Sequence, residues 1–396
     1  MRKLRWGLAA MLAWISLDLY IGKKRHKRRS GEPAPPVKTS GNAAFFNQGD
    51  ELFTHMLQKM KQADTCIHMH FYIFRDDDVG REFLDVLMQK ASEGLDVRLL
   101  LDWVGARLPL RTRRELKKSG VLFSYAQKPR LPFLFYSINE RNHRKVTVID
   151  NKHAYIGGFN AGNEYAGSDP RIGIWRDYHL YVTGAAIPAL SRQFARDWQT
   201  DTREPLTIPD PVEADSDPTP LEFRSTDGAH VTDHLKELFA EAETSVFIGT
   251  PYYIPGADMH REVIRLAQRG IKVRILIPKH PDHPLVKDAA FPYFRELLDA
   301  GVEVRQFAEG FYHAKVILID DHVIDITTAN FDMRSFYINH EASCTIRDRS
   351  WITSIRPGLD SDFYEYGEPI TYHLLSSRTW PDRLREKTAT LISSWM

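Results

Sequence analysis

One chemical string occurs twice in this chain, at a fixed separation and inside a longer repeat, and that constrains the fold more than any other feature. The first copy is His143-x-Lys145-x-x-x-x-Asp150, and the second is His313-x-Lys315-x-x-x-x-Asp320. Asn160 and Asn330 follow their copies at the same offset. The surrounding text repeats as well. An apolar run, Ile67–Phe74, is followed by a helical pattern through Phe83, Leu84, Val86 and Leu87 that closes at Gly94. Val97–Leu101 reads as the next strand, and Gly120-Val121 opens another. The second half retells this with Val246–Ile254, a helix through Val263, Ile264 and Leu266 closed by Gly270, Val273–Ile277, and Gly301-Val302. Strands alternating with helices predict βαβ units, largely parallel sheets, and two copies of one α/β unit.

The 396 residues give each copy room for its own core. The predicted division is a first domain over 45–200, a Pro- and Asp-rich linker over 201–220, and a second domain over 221–396. A net charge of +1 disfavours a nucleic-acid partner, which would call for a basic excess. Cys66 and Cys344 each sit in an apolar run and read as buried free thiols.

Residues 1–30 stand apart. An apolar stretch from Trp6 to Gly22, broken only by Ser16 and Asp18, is followed by Lys23, Lys24, Arg25, Lys27, Arg28 and Arg29. As a helix, Leu4 to Gly22 would reach ~28 Å, close to the ~30 Å hydrocarbon core. The expectation is a single-pass N-terminal anchor with Asp18 facing the headgroups. The heavier basic cluster then places the body on the cytoplasmic side of a cell membrane. A tether is expected over 31–44.

Val146–Ile149 and Val316–Ile319 are apolar and rich in β-branched residues, so each string is expected on a strand, with His and Lys on one face. Asp150 and Asp320 belong to the candidate catalytic string. Each closes its strand where the chain turns, however, and is read as mainly structural. One copy supplies half a site, and two copies face to face supply paired imidazoles, ammoniums and carboxamides. Such a set suits a phosphodiester. Lys145 and Lys315 neutralise phosphoryl oxygens, and Asn160 and Asn330 bind them. One histidine attacks phosphorus while the other protonates the leaving alkoxide and later activates the acceptor. This chemistry needs no metal or cofactor, and no carboxylate cluster suggests a metal site. His68 and His70 are read as structural.

The strings RNHRKVTVIDNKHAYIGGFN, WRDYHLYVTG, TPYYIPG, GFYHAKVILIDDH and TANFDMRS, the last followed by Ile338-Asn339-His340-Glu341, carry a resemblance. On them the chain resembles the phospholipase D superfamily over nearly its whole length. Within that superfamily it is similar to the bacterial cardiolipin synthases of the short Gram-positive type. The resemblance implies two similar α/β/α domains in pseudo-twofold arrangement behind an N-terminal transmembrane helix. It also implies phosphatidyl transfer between two phosphatidylglycerol molecules through a phosphohistidine, with anionic membrane lipids as partners. By the same resemblance Asp177 and Glu341 join the site and orient the histidines, raising their pKa. His143 is then the nucleophile and His313 the acid.

A phospholipase D-type hydrolase, a superfamily phosphodiesterase or nuclease, and a silent scaffold are the alternatives. The anchor, the neutral charge and the apolar segment Leu131–Ile138, read as a membrane-dipping lip, favour the lipid transferase. The second copy departs from the family in one place: Thr327 stands where a Gly is usual. It would strain a backbone that needed positive φ or close approach.

Overall fold

The computed structural model describes residues 2–167, 169, 171–208, 218–282 and 286–392. Apolar runs become strands at the expected places, and each half builds one mixed sheet. The first sheet runs, in spatial order, Ala43–Phe46, His179–Val182, His153–Gly157, Val146–Ile149, Cys66–Phe71, Asp96–Asp102 and Leu122–Ala126. The second has nine strands. Its centre repeats that order as His340–Ile346, Val323–Thr327, Val316–Ile319, Ser245–Gly249, Lys272–Pro278 and Glu303–Phe307. The register repeats too, with Ile149 opposite Ile67 and Ile319 opposite Val246.

The sheets are not largely parallel. Among the described residues of these two sheets, only Cys66–Phe71, Asp96–Asp102 and Leu122–Ala126, with their second-half counterparts, run parallel. The motif strands pair antiparallel on both sides. On the side of the following strand the physical reason is the turn after each motif. Asp150 and Asn151 take φ of 53° and 51°, Asp320 takes 51°, and left-handed residues of this kind close tight hairpins.

Helices cover the outer faces. In the first half, Asp77 caps Asp78–Ser92 by accepting from the Gly80 amide, and Phe83, Leu84, Val86 and Leu87 turn inward. Between the halves lies a shared core. Val146, Ile156 and Leu180 of the first sheet pack with Val316, Leu318 and Ile326 of the second. Burial of these inner faces holds the halves together.

Segments outside the repeat differ more from expectation. The stretch expected as a tether over 31–44 is ordered from Val37, which begins an edge strand antiparallel to Thr219–Asp227. The sheet edge that Thr219–Asp227 would otherwise leave unpaired accounts for this. Of the linker expected over 201–220, residues 209–217 lie outside the described residues, while its ends belong to the helix Ile187–Thr202 and the strand Thr219–Asp227. Cys66 and Cys344 are buried and free.

The apolar N-terminal stretch is helical as α1 (Arg2–Arg29). Among the described residues, however, no helix is long and apolar enough to cross a membrane. Asp18 does not face headgroups. It is buried, and its Oδ1 accepts a 2.8 Å bond from the Tyr136 amide in the short helix α2 (Leu134–Asn139). Trp14 packs edge-on against Phe135 at 4.9 Å, and the Arg25 guanidinium lies 5.3 Å from the Phe133 ring. Gly22 permits this docking, because a Cβ there would meet the Tyr136 Cβ at 2.4 Å. The lip is therefore a partner of α1. Side chains from Arg5 to Trp14 remain exposed.

Candidate active site

The motif histidines lie in the segments that lead into Val146–Ile149 and Val316–Ile319, and each segment is paired with the opposite half. The His143 amide donates to the His340 carbonyl at 2.9 Å, and the His340 amide donates back to Arg141 at 2.8 Å. In the related place, Gly310–Tyr312 runs parallel to Ile174–Arg176, and the His313 amide donates to the Arg176 carbonyl at 2.7 Å. The next residue in each partner segment is an acid: Glu341 after His340 and Asp177 after Arg176. This register carries each acid to the histidine of the other half. His143 Nδ1 lies 3.0 and 3.1 Å from the two Glu341 oxygens. His313 Nδ1 lies 2.5 Å from Asp177 Oδ2. A carboxylate on Nδ1 leaves Nε2 as the nitrogen of each ring open to other partners.

The lysines complete one cluster. Lys145 Nζ donates to the His143 carbonyl at 2.7 Å, Lys315 Nζ donates to the His313 carbonyl, and Lys315 lies 3.6 Å from Asp177. Charges act between the halves, since Lys315 bears on His143 and Glu341 on both lysines. Burial pulls Lys145 down to about 7 and Lys315 to about 8. Burial also lowers both histidines, against the upward pull of Glu341 and Asp177. The expected rise of the imidazole pKa is thus outweighed by desolvation. Burial would raise the two acids, but the surrounding cations hold them down and ionised.

A pH dependence follows. A histidine with a lowered pKa is neutral, and able to attack, from below its ordinary range upward. The lysines lose their charge as pH passes about 7 to 8. The expected kcat/KM profile is a bell whose acid limb lies below pH ~6.5 and whose alkaline limb follows lysine deprotonation. A flat profile from pH 5 to 9 would contradict it.

Asp150 and Asp320 stay out of the cluster. Asp150 accepts from the amides of Asp64, Thr65 and Cys66 and from the Thr65 hydroxyl. Asp320 repeats this with Glu243, Thr244, Ser245 and the Thr244 hydroxyl. Each fastens its hairpin to the start of the neighbouring strand, and none of these bonds goes to His143, Lys145, His313 or Lys315. Asp150→Ala should lower stability by about 1–3 kcal/mol, measured by denaturant unfolding, because several amides lose their acceptor at a half-buried site. Asn160 is buried, with Oδ1 accepting from the Ile73 amide at 3.1 Å. Asn330 is buried with its Oδ1 unbonded. His68 pairs with Asp96, and His70 lies 3.6 Å from Asp197.

Thr327 causes no strain, because its φ is not positive. Its hydroxyl accepts from the Ala329 amide and donates to the Ala342 carbonyl. The glycines of the first copy serve close approach instead. A Cβ on Gly158 would meet Asp177 Oδ1 at 2.0 Å. The matching Thr328 donates its hydroxyl to Glu341 at 2.5 Å, a bond that Asp177 cannot receive from glycine. Sequence reasoning missed this asymmetry, although the Gly158/Thr328 mismatch was its visible signal.

It also missed aromatic neighbours. Tyr72 meets the His143 ring at 4.7 Å with Lys145 5.4 Å from its own ring, and Trp175 meets His313 at 5.1 Å. Behind His143, Glu140 joins His340 at 3.1 Å and His26 of α1 at 3.3 Å. No spacing rule brings those three residues together. Among the described residues, no group of three His, Cys, Asp or Glu could hold a metal ion.

The model of a family described as cardiolipin synthase, phospholipase D-like domain, matches residues 56–198 and 235–362. The minor cardiolipin synthase ClsB of Bacillus subtilis (strain 168) is 35% identical over 97% of this chain and 96% of its own length. A cardiolipin synthase of Halalkalibacterium halodurans is 37% identical over 90% of this chain and 73% of its own. The crystal structure of a phosphatidylserine synthase from Haemophilus influenzae Rd KW20 superposes with a TM-score of 0.72 at 17% identity, covering 94% of this chain and all of that one, which shows a shared fold. With two histidine–lysine strings, crossed acids and this breadth of similarity, the chain belongs to the phospholipase D-like cardiolipin synthase family.

Proposed function

We propose that the chain joins two phosphatidylglycerol molecules into cardiolipin and releases glycerol. The observation that carries this reading is the buried cluster in which each histidine is held by a carboxylate from the opposite half beside two lysines. His143 Nε2 attacks the phosphorus of the first lipid, and the glycerol oxygen leaves with the proton of His313. A hydroxyl of the second lipid then attacks phosphorus and returns its proton to His313, while the bond to His143 breaks. The lysines balance the phosphoryl charge throughout, and an anionic phosphodiester bound between them favours the protonated state of His313. Asn160 and Asn330 take the phosphoryl oxygens. The extra bond from Thr328 to Glu341 favours His143 as nucleophile, because it fixes the orienting carboxylate more firmly.

Membrane attachment belongs to the same reading. The exposed part of α1, Arg5–Trp14, is about 15 Å of largely apolar helix at ~1.5 Å per residue, roughly half a hydrocarbon core. Leu131, which lines one hollow with Gly22, Arg25 and Arg29 farther along α1, is 78% exposed. An apolar helix end projecting from a folded body, with a basic cluster behind it, suits a bilayer that carries anionic lipids. The basic cluster keeps the body on the cytoplasmic side. α2 ends only four residues before His143, so a headgroup entering beside it has a short path while its acyl tails stay in lipid.

Incubation of the purified protein with phosphatidylglycerol vesicles tests the reaction. Cardiolipin and glycerol in equal amounts are expected, and phosphatidic acid as the sole product would replace transfer by hydrolysis. The triple variant Trp6→Ser/Leu12→Ser/Leu131→Ser should lower activity on vesicles by ~10-fold or more, with turnover of a soluble phosphodiester little changed. Equal losses on both substrates would remove the membrane role.

A further inference from the structure

Near the second half-site stands a carboxylate that the steps above leave unused. Asp282 follows the strand Lys272–Pro278, and its Oδ2 accepts from the Tyr252 hydroxyl at 2.5 Å. Tyr252 is anchored to the site. Two residues before it, the Thr250 hydroxyl accepts the Phe331 amide at 3.0 Å, immediately after Asn330. Asp282 is exposed, and its charge acts on His313, Lys315 and Tyr165, so it stands at the rim of the second half-site. Tyr165 packs on Trp175 at 4.7 Å, and Trp175 packs on His313. By itself an anion here opposes the binding of an anionic phosphodiester. It becomes favourable when the ligand brings hydrogen-bond donors beside its phosphate, as a polyol headgroup does.

We propose that Asp282, held by the Tyr252 hydroxyl, accepts a hydrogen bond from a free hydroxyl of the incoming polyol headgroup and so directs the phosphohistidine toward an alcohol instead of water. This rests on the reaction given under Proposed function. The attacking hydroxyl oxygen bonds to phosphorus and its proton passes to His313. The phosphorus–nitrogen bond breaks, and its electron pair returns to the His143 ring. Asp282 takes no proton. It holds the neighbouring hydroxyl of the same headgroup, which a water molecule lacks, and the bound headgroup occupies the space water would use.

The test uses the full chain with phosphatidylglycerol vesicles and measures the ratio of cardiolipin to phosphatidic acid, so that a change in total activity cancels. Asp282→Asn keeps an acceptor for Tyr252 but removes the charge. It should lower the ratio about tenfold, the loss of one charged hydrogen bond to the acceptor. Tyr252→Phe should lower it less. With added alcohols, the unaltered protein should favour glycerol over 1-propanol, and Asp282→Asn should erase that preference. Cardiolipin formation with an unchanged ratio and an unchanged alcohol preference in Asp282→Asn would overturn this proposal alone. An unaltered protein that formed no cardiolipin would overturn the proposed function, and this proposal with it.

Discussion

His143→Ala is expected to abolish turnover of phosphatidylglycerol, by a factor of ~10⁴ or more, while His313→Ala separates the two halves of the reaction. Without His143 there is no atom to receive the phosphatidyl group, and no other residue of the cluster can replace it. Without His313 the leaving glycerol has no proton donor, so turnover should fall comparably. A phosphatidyl ester of p-nitrophenol needs no such donor. His313→Ala should therefore release one equivalent of nitrophenol in a burst and then stall, because nothing activates the acceptor. His143→Ala should give no burst. The reverse pattern would exchange the roles of the two histidines.

The second large effect is expected at the crossed acids. Glu341→Gln keeps shape and a hydrogen-bonding oxygen, but it removes the charge that stabilises a cationic His143 ring and favours the tautomer with Nε2 free. A loss of about 10²–10⁴ in kcat is expected, in line with what a comparable carboxylate supports in other acid–imidazole pairs. Asp177→Asn should act similarly through His313. Thr328→Val should cost less, near tenfold, since it removes one bond to Glu341 and leaves the carboxylate itself. If Glu341→Gln were as active as the unaltered chain, the acid would be structural.

These acids show how far the sequence could be read. The gathering of His143, Lys145, His313 and Lys315 was legible in the repeat and that of Asp177 and Glu341 in the resemblance, whereas the Asn160 and Asn330 side chains bond to the Ile73 amide and to Asp332. The assignment of each acid to the opposite histidine was not readable. It depends on the pairing of Asn142 with His340 and of Tyr312 with Arg176, contacts between segments more than a hundred residues apart. The sheet direction was misread for a related reason. Alternating strands and helices suggested parallel pairing, while the turn at Asp150-Asn151 makes each motif strand half of a hairpin. The structural role of both motif aspartates was readable, since a turn position with a short acceptor side chain has an obvious local use. Asp18 shows the opposite case. Within an apolar run it resembled a residue near a lipid headgroup, yet its partner is the Tyr136 amide, far away in the chain. Local periodicity carries no information about that contact.

Rapid acid or base quench of the enzyme during turnover of phosphatidylglycerol, followed by digestion and mass spectrometry, addresses the covalent step itself. The account predicts a phosphatidyl adduct on the peptide that contains His143, accumulating in His313→Ala treated with the nitrophenyl ester and absent from His143→Ala. An adduct on the His313 peptide instead, or full turnover with no adduct at any quench time, would contradict it.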